Sequence, residues 1–181
     1  MKNGMTLLVM SMLLLGACNS YTPGEAIDDL DGVIVYANGG LTESHGRNTT
    51  ADGYNVGLQW QCVEFVKRYY LDRYQHKMPN AWGHARDFFD KNLAEGTLNP
   101  GRNLKQFPNG SEQPPQVGDI VVWDGWWFNK FGHVAIVSEV SADGIEIVQQ
   151  NKYPSREKLT LEKRECQYYL HPSRILGWLS R

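Results

Sequence analysis

Three short runs of apolar and β-branched residues between positions 120 and 150 constrain the fold of this chain more than any other feature. They are Ile120–Trp123, Gly132–Val140 and Gly144–Gln150. β-Branched residues favour strands, and the Asp143-Gly144 pair between the second and third runs is a strong signal for a tight turn. The pattern therefore predicts an antiparallel meander, with His133 at the mouth of its second strand.

A pattern of helical period begins at Cys62, directly after a glycine-containing loop. Its apolar residues recur at spacings of three and four, so they form one buried stripe: Val63, Val66, Tyr70 and Tyr74. We therefore expect Cys62 in the first turn of a helix. Unpaired backbone N–H groups and the positive end of the helix dipole favour an anion there, which predicts a thiol pKa below its ordinary value.

The remaining segments predict a second helix and a long connection. Residues 81–93 have a pattern typical of a helix, whereas residues 98–116 are polar and rich in Pro, Gly and Asn, which favours a surface loop. Together these elements predict an α+β fold in which N-terminal helices pack on a small antiparallel β-sheet.

The first eighteen residues have the features of a targeting segment. Lys2 supplies a positive start, and residues 5–15 are apolar but too few to span a bilayer comfortably. The Leu15–Cys18 segment resembles the lipobox of bacterial lipoproteins, in which the cysteine becomes the lipidated N-terminus. An ordinary signal peptide with an incidental cysteine and a buried N-terminal helix are the alternatives.

This interpretation divides the chain into a signal peptide (1–18), a tether (19–30) and one domain (31–181). Lipid on Cys18 would anchor the domain to a membrane. Asn19 follows the cysteine, where an aspartate would resemble the signal for retention in the inner membrane. We therefore expect the protein in the cell envelope, on the periplasmic side of the outer membrane.

Composition and charge exclude several kinds of partner. The chain has 41% hydrophobic and 21% charged residues, which is typical of a single globular domain. A formal net charge of -2 leaves no broad basic surface, so nucleic acid is not expected as a partner. The sequence has no phosphate-binding glycine loop and no paired-cysteine zinc pattern, so we expect no cofactor and no metal. We expect a monomer.

Cys62 and His133 are the candidate nucleophile and base. A thiol nucleophile needs a base within hydrogen-bond reach, and among the five histidines only His133 lies in a strand pattern. A sheet packed against the helix that carries Cys62 can bring the imidazole to the thiol. Gln149 and Asn151 share a face of the next strand, and either side chain can orient the imidazole. A disulfide between Cys62 and Cys166 is the structural alternative.

At these residues the chain resembles a known family, the CHAP amidohydrolase/peptidase domains. The resemblance covers roughly residues 31–178 and rests on four ordered segments: Trp60–Phe65, Gly118–Trp123, Gly132–Val137 and Gln149–Asn151. Within the family the chain is most similar to the amidase domain of glutathionylspermidine synthetase/amidase. That domain shares the first segment and ends in a sequence similar to Ile175–Trp178. The resemblance implies a papain-like fold.

The resemblance also implies a cysteine amidohydrolase. Cys62 would be the nucleophile, and His133 would act first as general base and then as general acid. The backbone N–H of Cys62 would help to stabilise the oxyanion, with Gln61 and Gln59 as further candidates.

The chain departs from that amidase at the residue that orients the histidine. The amidase has a glutamate there, whereas the matching residue of this chain is Gln149. Either Gln149 acts as a neutral orienting group or Asn151 takes this role.

The substrate follows less directly from the sequence. CHAP domains chiefly cleave amide bonds of peptidoglycan, and a lipid anchor would place the domain beside the wall, so we favour peptidoglycan over another small peptide amide. The amidase resemblance favours a glutathione–polyamine conjugate, and an inactive lipoprotein that binds the wall or an envelope partner is the non-enzymatic alternative. Trp126 and Trp127 belong to an aromatic loop just before His133 and are the candidates for lining a substrate groove.

Overall fold

The computed structural model describes residues 21–181, in which twelve strands and one α-helix form the fold. Four short strands precede the helix: β1 (Ala26–Leu30), β2 (Val33–Tyr36), β3 (Arg47–Thr49) and β4 (Asn55–Leu58). Helix α1 spans Cys62–Tyr74, and a 3₁₀ helix follows at Ala85–Phe88. The other strands are β5 (Leu98–Asn99), β6 (Leu104–Pro108), β7 (Ile120–Trp123), β8 (His133–Val140), β9 (Gly144–Val148), β10 (Arg156–Arg164), β11 (Gln167–Leu170) and β12 (Ile175–Ser180).

The N-terminal predictions fall largely outside this part of the chain. The expected signal peptide (1–18) and the expected lipidation site Cys18 precede the described residues. Within the expected tether (19–30), strand β1 begins at Ala26 and pairs with β2. No helix in residues 21–181 has the length and apolar character needed to cross a membrane.

Eight strands form one antiparallel sheet in the order β11-β10-β9-β8-β7-β12-β6-β5. Strands β1 and β2 form a separate pair, as do β3 and β4. The prediction of N-terminal helices packed on a small antiparallel sheet is therefore wrong. The sheet is large, most strands follow α1 in the chain, and α1 is the one α-helix of the described residues.

The large sheet curls until two distant parts of it meet. The side chain of Asn109, just after β6, donates to the carbonyl of Leu170 in β11 at 3.0 Å and accepts from the Leu170 N–H at 2.8 Å. Ser111 and Tyr168 form a further antiparallel bridge. The buried residues of the cluster inside this curl all belong to strands. Trp178 is one of them and is among the largest fully buried side chains of the described residues. The sheet thus encloses its own core, as a barrel does.

Helix α1 packs on the outside of the curl. Phe65, Val66 and Tyr70 of α1 share one buried cluster with Val134 and Ile136 of β8. The alternate residues of β8 face the inner cluster, so this strand is apolar on both sides. Burial of each large apolar side chain contributes about 1.5–3 kcal/mol, and the two-sided burial explains the continuous apolar run in the sequence.

Two local predictions are confirmed. Strands β7, β8 and β9 form the expected antiparallel meander, with Trp123 opposite His133 and β9 beginning at Gly144. Helix α1 begins at Cys62, also as expected.

The predicted second helix is wrong. Residues 81–93 contain only the short 3₁₀ helix, because side chains of β5 and β6 bind backbone groups that a longer helix would use. The Asn99 amide donates to Phe88 O at 3.0 Å. The Gln106 amide bonds both the N–H and the carbonyl of Asp90, at 2.9 and 2.7 Å.

The predicted surface loop at residues 98–116 is wrong for a related reason. It contains β5 and β6, and β6 pairs with β12 at the other end of the chain. A local composition of Pro, Gly and Asn does not reveal a partner strand so remote in sequence.

Candidate active site

Cys62 is the first residue of α1, and its thiol is almost completely buried, with 9% of the residue exposed. Burial raises the thiol pKa to about 11, and the nearby backbone N–H groups of Val134, Val63 and Cys62 oppose the shift only in part. The prediction of a lowered pKa is therefore wrong, because desolvation outweighs the field of the helix start. The resting form at neutral pH is the thiol.

His133 is the first residue of β8 and lines the same cleft as Cys62. Its Nε2 lies 2.8 Å from Gln149 Oε1. Burial lowers the pKa of the imidazole to about 4, and the nearby charge of Lys152 adds to this, while Gln149 and Glu157 oppose it. The imidazole is therefore neutral at neutral pH.

The sheet packs against α1 as expected, but not through the face of β8 that carries His133. Val134 and Ile136 face α1, whereas Ala135 and Val137 face the inner cluster. His133 has the parity of the inner residues, so it does not lie on the face that α1 covers. Its side chain lines the cleft because His133 is the first residue of β8, at the end of the strand that borders the cleft.

Gln149 fixes the tautomer of His133. Its Nε2 donates to Pro154 O at 3.0 Å and to Glu157 Oε2 at 3.1 Å, so its Oε1 must face the imidazole. An amide oxygen only accepts, which puts the imidazole proton on Nε2. The other ring nitrogen, Nδ1, then carries the lone pair that a general base needs.

Glu157 lies behind Gln149 and was not found from the sequence. Lys152 Nζ donates to Glu157 Oε2 at 2.6 Å. Burial raises the carboxyl pKa, but hydrogen bonds from Lys152 and Gln149 outweigh it and hold the pKa below its usual range. The amide of Gln149 thus links the carboxylate of Glu157 to the imidazole of His133. The signal for it was the β9–β10 hairpin, where Glu157 is opposite Ile147, two residues before Gln149 on the same face.

Asn151, the alternative orienting residue, has other partners. Its amide donates to Gln61 Oε1 at 2.6 Å and to Leu41 O at 3.0 Å. Gln61 in turn donates from Nε2 to Glu43 O at 2.7 Å. The structure therefore places Gln149 against His133 and uses Asn151 to hold Gln61 at the helix start.

The two oxyanion candidates differ in position. Gln61 lines the cleft beside Cys62, whereas Gln59 does not line it. The backbone of Gln59 pairs with the preceding loop, accepting from His45 N–H and donating to Gly46 O.

A buried polar network holds the start of α1 against the end of β9. The carboxylate of Glu64 is bonded by Arg68 at 2.7 Å and by the Gln150 amide at 2.9 Å, and Gln150 also donates to Gln61 O at 3.1 Å. Because Gln149 precedes Gln150, this network ties the group that orients His133 to the helix that carries Cys62.

The predicted aromatic residues lie outside the cleft. Trp126 is 48% exposed and packs against Phe128 and Arg174, and Trp127 is 93% exposed. The aromatic residues that do line the cleft are Trp82 and Phe131, which sequence analysis did not single out. The cleft has a volume of about 530 Å³.

Two further predicted features can be compared with the structure. Cys62 and Cys166 are both free, so the alternative of a disulfide between them is wrong. Residues 21–181 contain no group of three or more His, Cys, Asp or Glu side chains arranged to hold a metal ion.

Residues 52–151 match the CHAP domain family. The chain is 37% identical over 139 residues to a protein named glutathionylspermidine synthase from Crithidia fasciculata, covering 69% of this chain and 19% of that protein. It is 33% identical over 102 residues to the bifunctional glutathionylspermidine synthetase/amidase of Escherichia coli, covering 55% of this chain and 16% of that protein. Trypanothione synthetase of Crithidia fasciculata is 26% identical over 136 residues, which are 75% of this chain and 20% of that protein.

The aligned part is thus a fifth or less of the length of each of these relatives. The matched family and the amidase among the relatives indicate a hydrolase of the amidase or peptidase kind. The family match covers more than half of the residues, and the chain belongs to the CHAP domain family.

Proposed function

We propose that this chain is a thiol-dependent amidohydrolase that cleaves amide bonds of peptidoglycan through Cys62 and His133. The observation that carries the proposal is the hydrogen-bonded series from His133 through Gln149 to Glu157. This series supports a neutral imidazole whose Nδ1 is basic, in a cleft that Cys62 also lines.

The proposed reaction begins from the neutral pair. As the sulfur of Cys62 attacks the substrate carbonyl, its proton passes to Nδ1 of His133. The carbonyl oxygen becomes an oxyanion next to the first turn of α1, where the backbone N–H of Cys62 can stabilise it and Gln61 lies close by. The imidazolium then gives its proton to the leaving amine, and a thioester remains on Cys62.

Water completes the proposed cycle. His133 takes a proton from the water as it attacks the thioester, and the acid product leaves with the thiol restored. Gln149 holds the imidazole in one orientation through both steps. Glu157 stabilises the transient imidazolium through the amide, since its carboxylate accepts from the Gln149 amide.

The choice of peptidoglycan rests on the proposed location. The proposed lipid anchor on Cys18 would keep the domain in the cell envelope, on the periplasmic side of the outer membrane. We propose that the protein is a monomer there. A second candidate is hydrolysis of a glutathionylspermidine-type amide. The observation in its favour is the similarity to the bifunctional synthetase/amidase of Escherichia coli. An inactive wall-binding lipoprotein is disfavoured by the complete cysteine, histidine and glutamine set.

Incubation with purified peptidoglycan tests the proposal directly. The purified protein is expected to release new amino groups, and mass analysis of the products identifies the bond. Cys62→Ala is expected to abolish release. Cys166→Ala is the matched control, since Cys166 is exposed and does not line the cleft, and its activity should stay unchanged.

Two results would decide against parts of the proposal. Release that persists in Cys62→Ala would contradict the thiol mechanism. Cys62-dependent cleavage of glutathionylspermidine with none of peptidoglycan would replace the substrate while leaving the mechanism intact.

A further inference from the structure

One wall of the cleft carries a permanent positive charge that the proposed reaction does not use. Among the described residues that line the cleft, Arg47 is the only arginine, and there is no lysine, aspartate or glutamate. The other titratable residues of the lining are Cys62, His84 and His133. Arg47 is exposed and lies on β3 opposite Leu58, which also lines the cleft. No carboxylate of the described residues is within salt-bridge distance of it.

The guanidinium of Arg47 is held in place without a counterion. Its Nη1 donates to Asn55 Oδ1 at 2.9 Å, and Asn55 Nδ2 is itself fixed by Ala81 O at 2.8 Å. The Cζ atom lies 4.8 Å from the ring centroid of Trp82. A guanidinium has five N–H donors, so most of them remain for a ligand, and the aromatic ring covers only one face.

Two more cations lie behind this wall. Lys67 and Arg102 are each 1% exposed. Their charged groups are bonded to backbone carbonyls: Lys67 to Asn55 and Ala81, and Arg102 to Asn80 and Asp87. Burial, and then the charges of Arg102 and Arg47, lower the pKa of Lys67 to about 8. Three positively charged side chains thus lie in or behind this wall, although the whole chain has a net charge of -2.

We infer that the wall formed by Arg47 and Trp82 binds a free carboxylate of the peptide-amide substrate. The inference rests on the proposed function and names the substrate class: an acidic peptide amide. A carboxylate matches the planar fork of a guanidinium and can accept two parallel hydrogen bonds from it. The same charge repels a polyamine chain, so this wall favours acidic stem peptides over the cationic portion of a polyamine conjugate.

Matched substrates test the inference. The probe is the stem tetrapeptide L-alanyl-γ-D-glutamyl-meso-diaminopimelyl-D-alanine linked by its N-terminus to N-acetylmuramic acid, with each free carboxylate in turn replaced by a carboxamide. In the wild-type protein, one of these replacements is expected to lower kcat/KM about tenfold or more, mainly through KM, since a charged hydrogen-bonded pair is lost.

The variant Arg47→Gln is expected to lose this discrimination. It should hydrolyse the acidic peptide as slowly as it hydrolyses the critical carboxamide peptide, and a circular dichroism spectrum like that of the wild type checks that it is folded. Arg47→Lys keeps the charge but not the planar fork and should discriminate only partly. Arg164→Gln is the matched control, because Arg164 is an exposed residue of β10, is paired with Glu162 and does not line the cleft. This variant should discriminate like the wild type.

The inference and the proposed function fail in different ways. Hydrolysis with no carboxylate preference, or a preference that survives in Arg47→Gln, overturns the carboxylate site and leaves the hydrolase intact. Absence of hydrolysis overturns the proposed function, and calorimetric binding of the same peptides to Cys62→Ala then decides on the site. The site is supported if Cys62→Ala binds the acidic peptide about tenfold more tightly than the carboxamide peptide and if adding Arg47→Gln removes this difference. Equal binding of the two peptides overturns the site.

Discussion

The two segments that meet at His133 are built in opposite ways. On one side lies the orienting cluster, which consists of Gln149, Pro154 O, Glu157 and Lys152. In it Gln149 is fully buried and all its amide groups are bonded. On the other side lies the aromatic turn, residues 124–132, which joins β7 to His133 and exposes most of its large apolar side chains.

The aromatic turn is nevertheless fixed in its backbone. Trp126 and Asn129 exchange two backbone hydrogen bonds, at 2.8 and 3.0 Å. A Cβ on Gly125 would lie 2.4 Å from the carbonyl oxygen of Lys130, so only glycine fits there. The difference between the segments is therefore in their side chains. The orienting cluster uses side chains to control the imidazole, whereas the backbone of the turn fixes where the strand begins.

The largest effect is expected from Gln149→Leu. This change removes the acceptor for His133 Nε2 and both donors to Pro154 O and Glu157, which leaves buried polar groups without partners. We expect kcat/KM to fall at least about a hundredfold, and the free energy of unfolding to fall by about 1–3 kcal/mol. Kinetics on the cleaved substrate and urea unfolding measure the two effects. Near-normal kcat/KM would mean that the turn alone positions the imidazole.

A smaller effect is expected when the amide and the carboxylate of the orienting cluster exchange places. Gln149→Glu alone places carboxylates at both positions, about 3 Å apart. Glu157→Gln alone leaves an amide at both positions and no carboxylate. The double variant restores one of each, with the carboxylate now against His133. We expect the double variant to have a higher kcat/KM than Gln149→Glu, and the coupling energy between the two sites to be about 1–3 kcal/mol. Additive effects would show that Glu157 does not act through residue 149.

A third and smaller effect is expected on the pH dependence of kcat/KM, whose acid limb should shift in opposite directions in variants of Glu157 and Lys152. Activity requires a neutral imidazole, so kcat/KM should fall as the pH drops through the His133 pKa of about 4. Glu157 raises this pKa and Lys152 lowers it. The acid limb should therefore move to lower pH in Glu157→Gln and to higher pH in Lys152→Gln. An acid limb near pH 6.5 in the wild-type protein, the ordinary value for histidine, would contradict the burial of the imidazole.

The same contrast explains what the sequence could predict. The meander and the start of α1 depend on local patterns, and both are present. The thiol pKa was predicted with the wrong sign because the helix start is a local feature, whereas the burial comes from the apolar cluster that Cys62 shares with Val134 and Ile136 of β8. Glu157 was missed because its contact with Gln149 depends on the register of β9 and β10.

The overall fold was mispredicted for the same physical reason. The eight-stranded sheet needs β6 to pair with β12, and no local pattern in residues 98–116 specifies that partner. Arg47 likewise lies on a strand of three residues, whose composition carries no periodic signal. Its place in the cleft depends on contacts with Asn55 and Trp82.

The smallest effect is expected from Trp127→Ser in the aromatic turn. Trp127 is 93% exposed and does not line the cleft, so we expect a change of at most about 0.5 kcal/mol in the free energy of unfolding and about twofold in kcat/KM on a soluble peptide. Phe131→Ser in the same turn is the matched comparison. Phe131 lines the cleft and packs at 4.8 Å from the His84 ring, so it should lower kcat/KM more.

The form of the substrate sharpens this last test. A large loss in Trp127→Ser on a soluble peptide would contradict the position of Trp127 outside the cleft, because it would require the exposed indole to reach the reacting amide. A loss seen only on intact peptidoglycan sacculi would have a different meaning. It would assign Trp127, with its neighbour Trp126, to contact with polymer beyond the cleft, where an exposed aromatic side chain can bind without touching the catalytic groups.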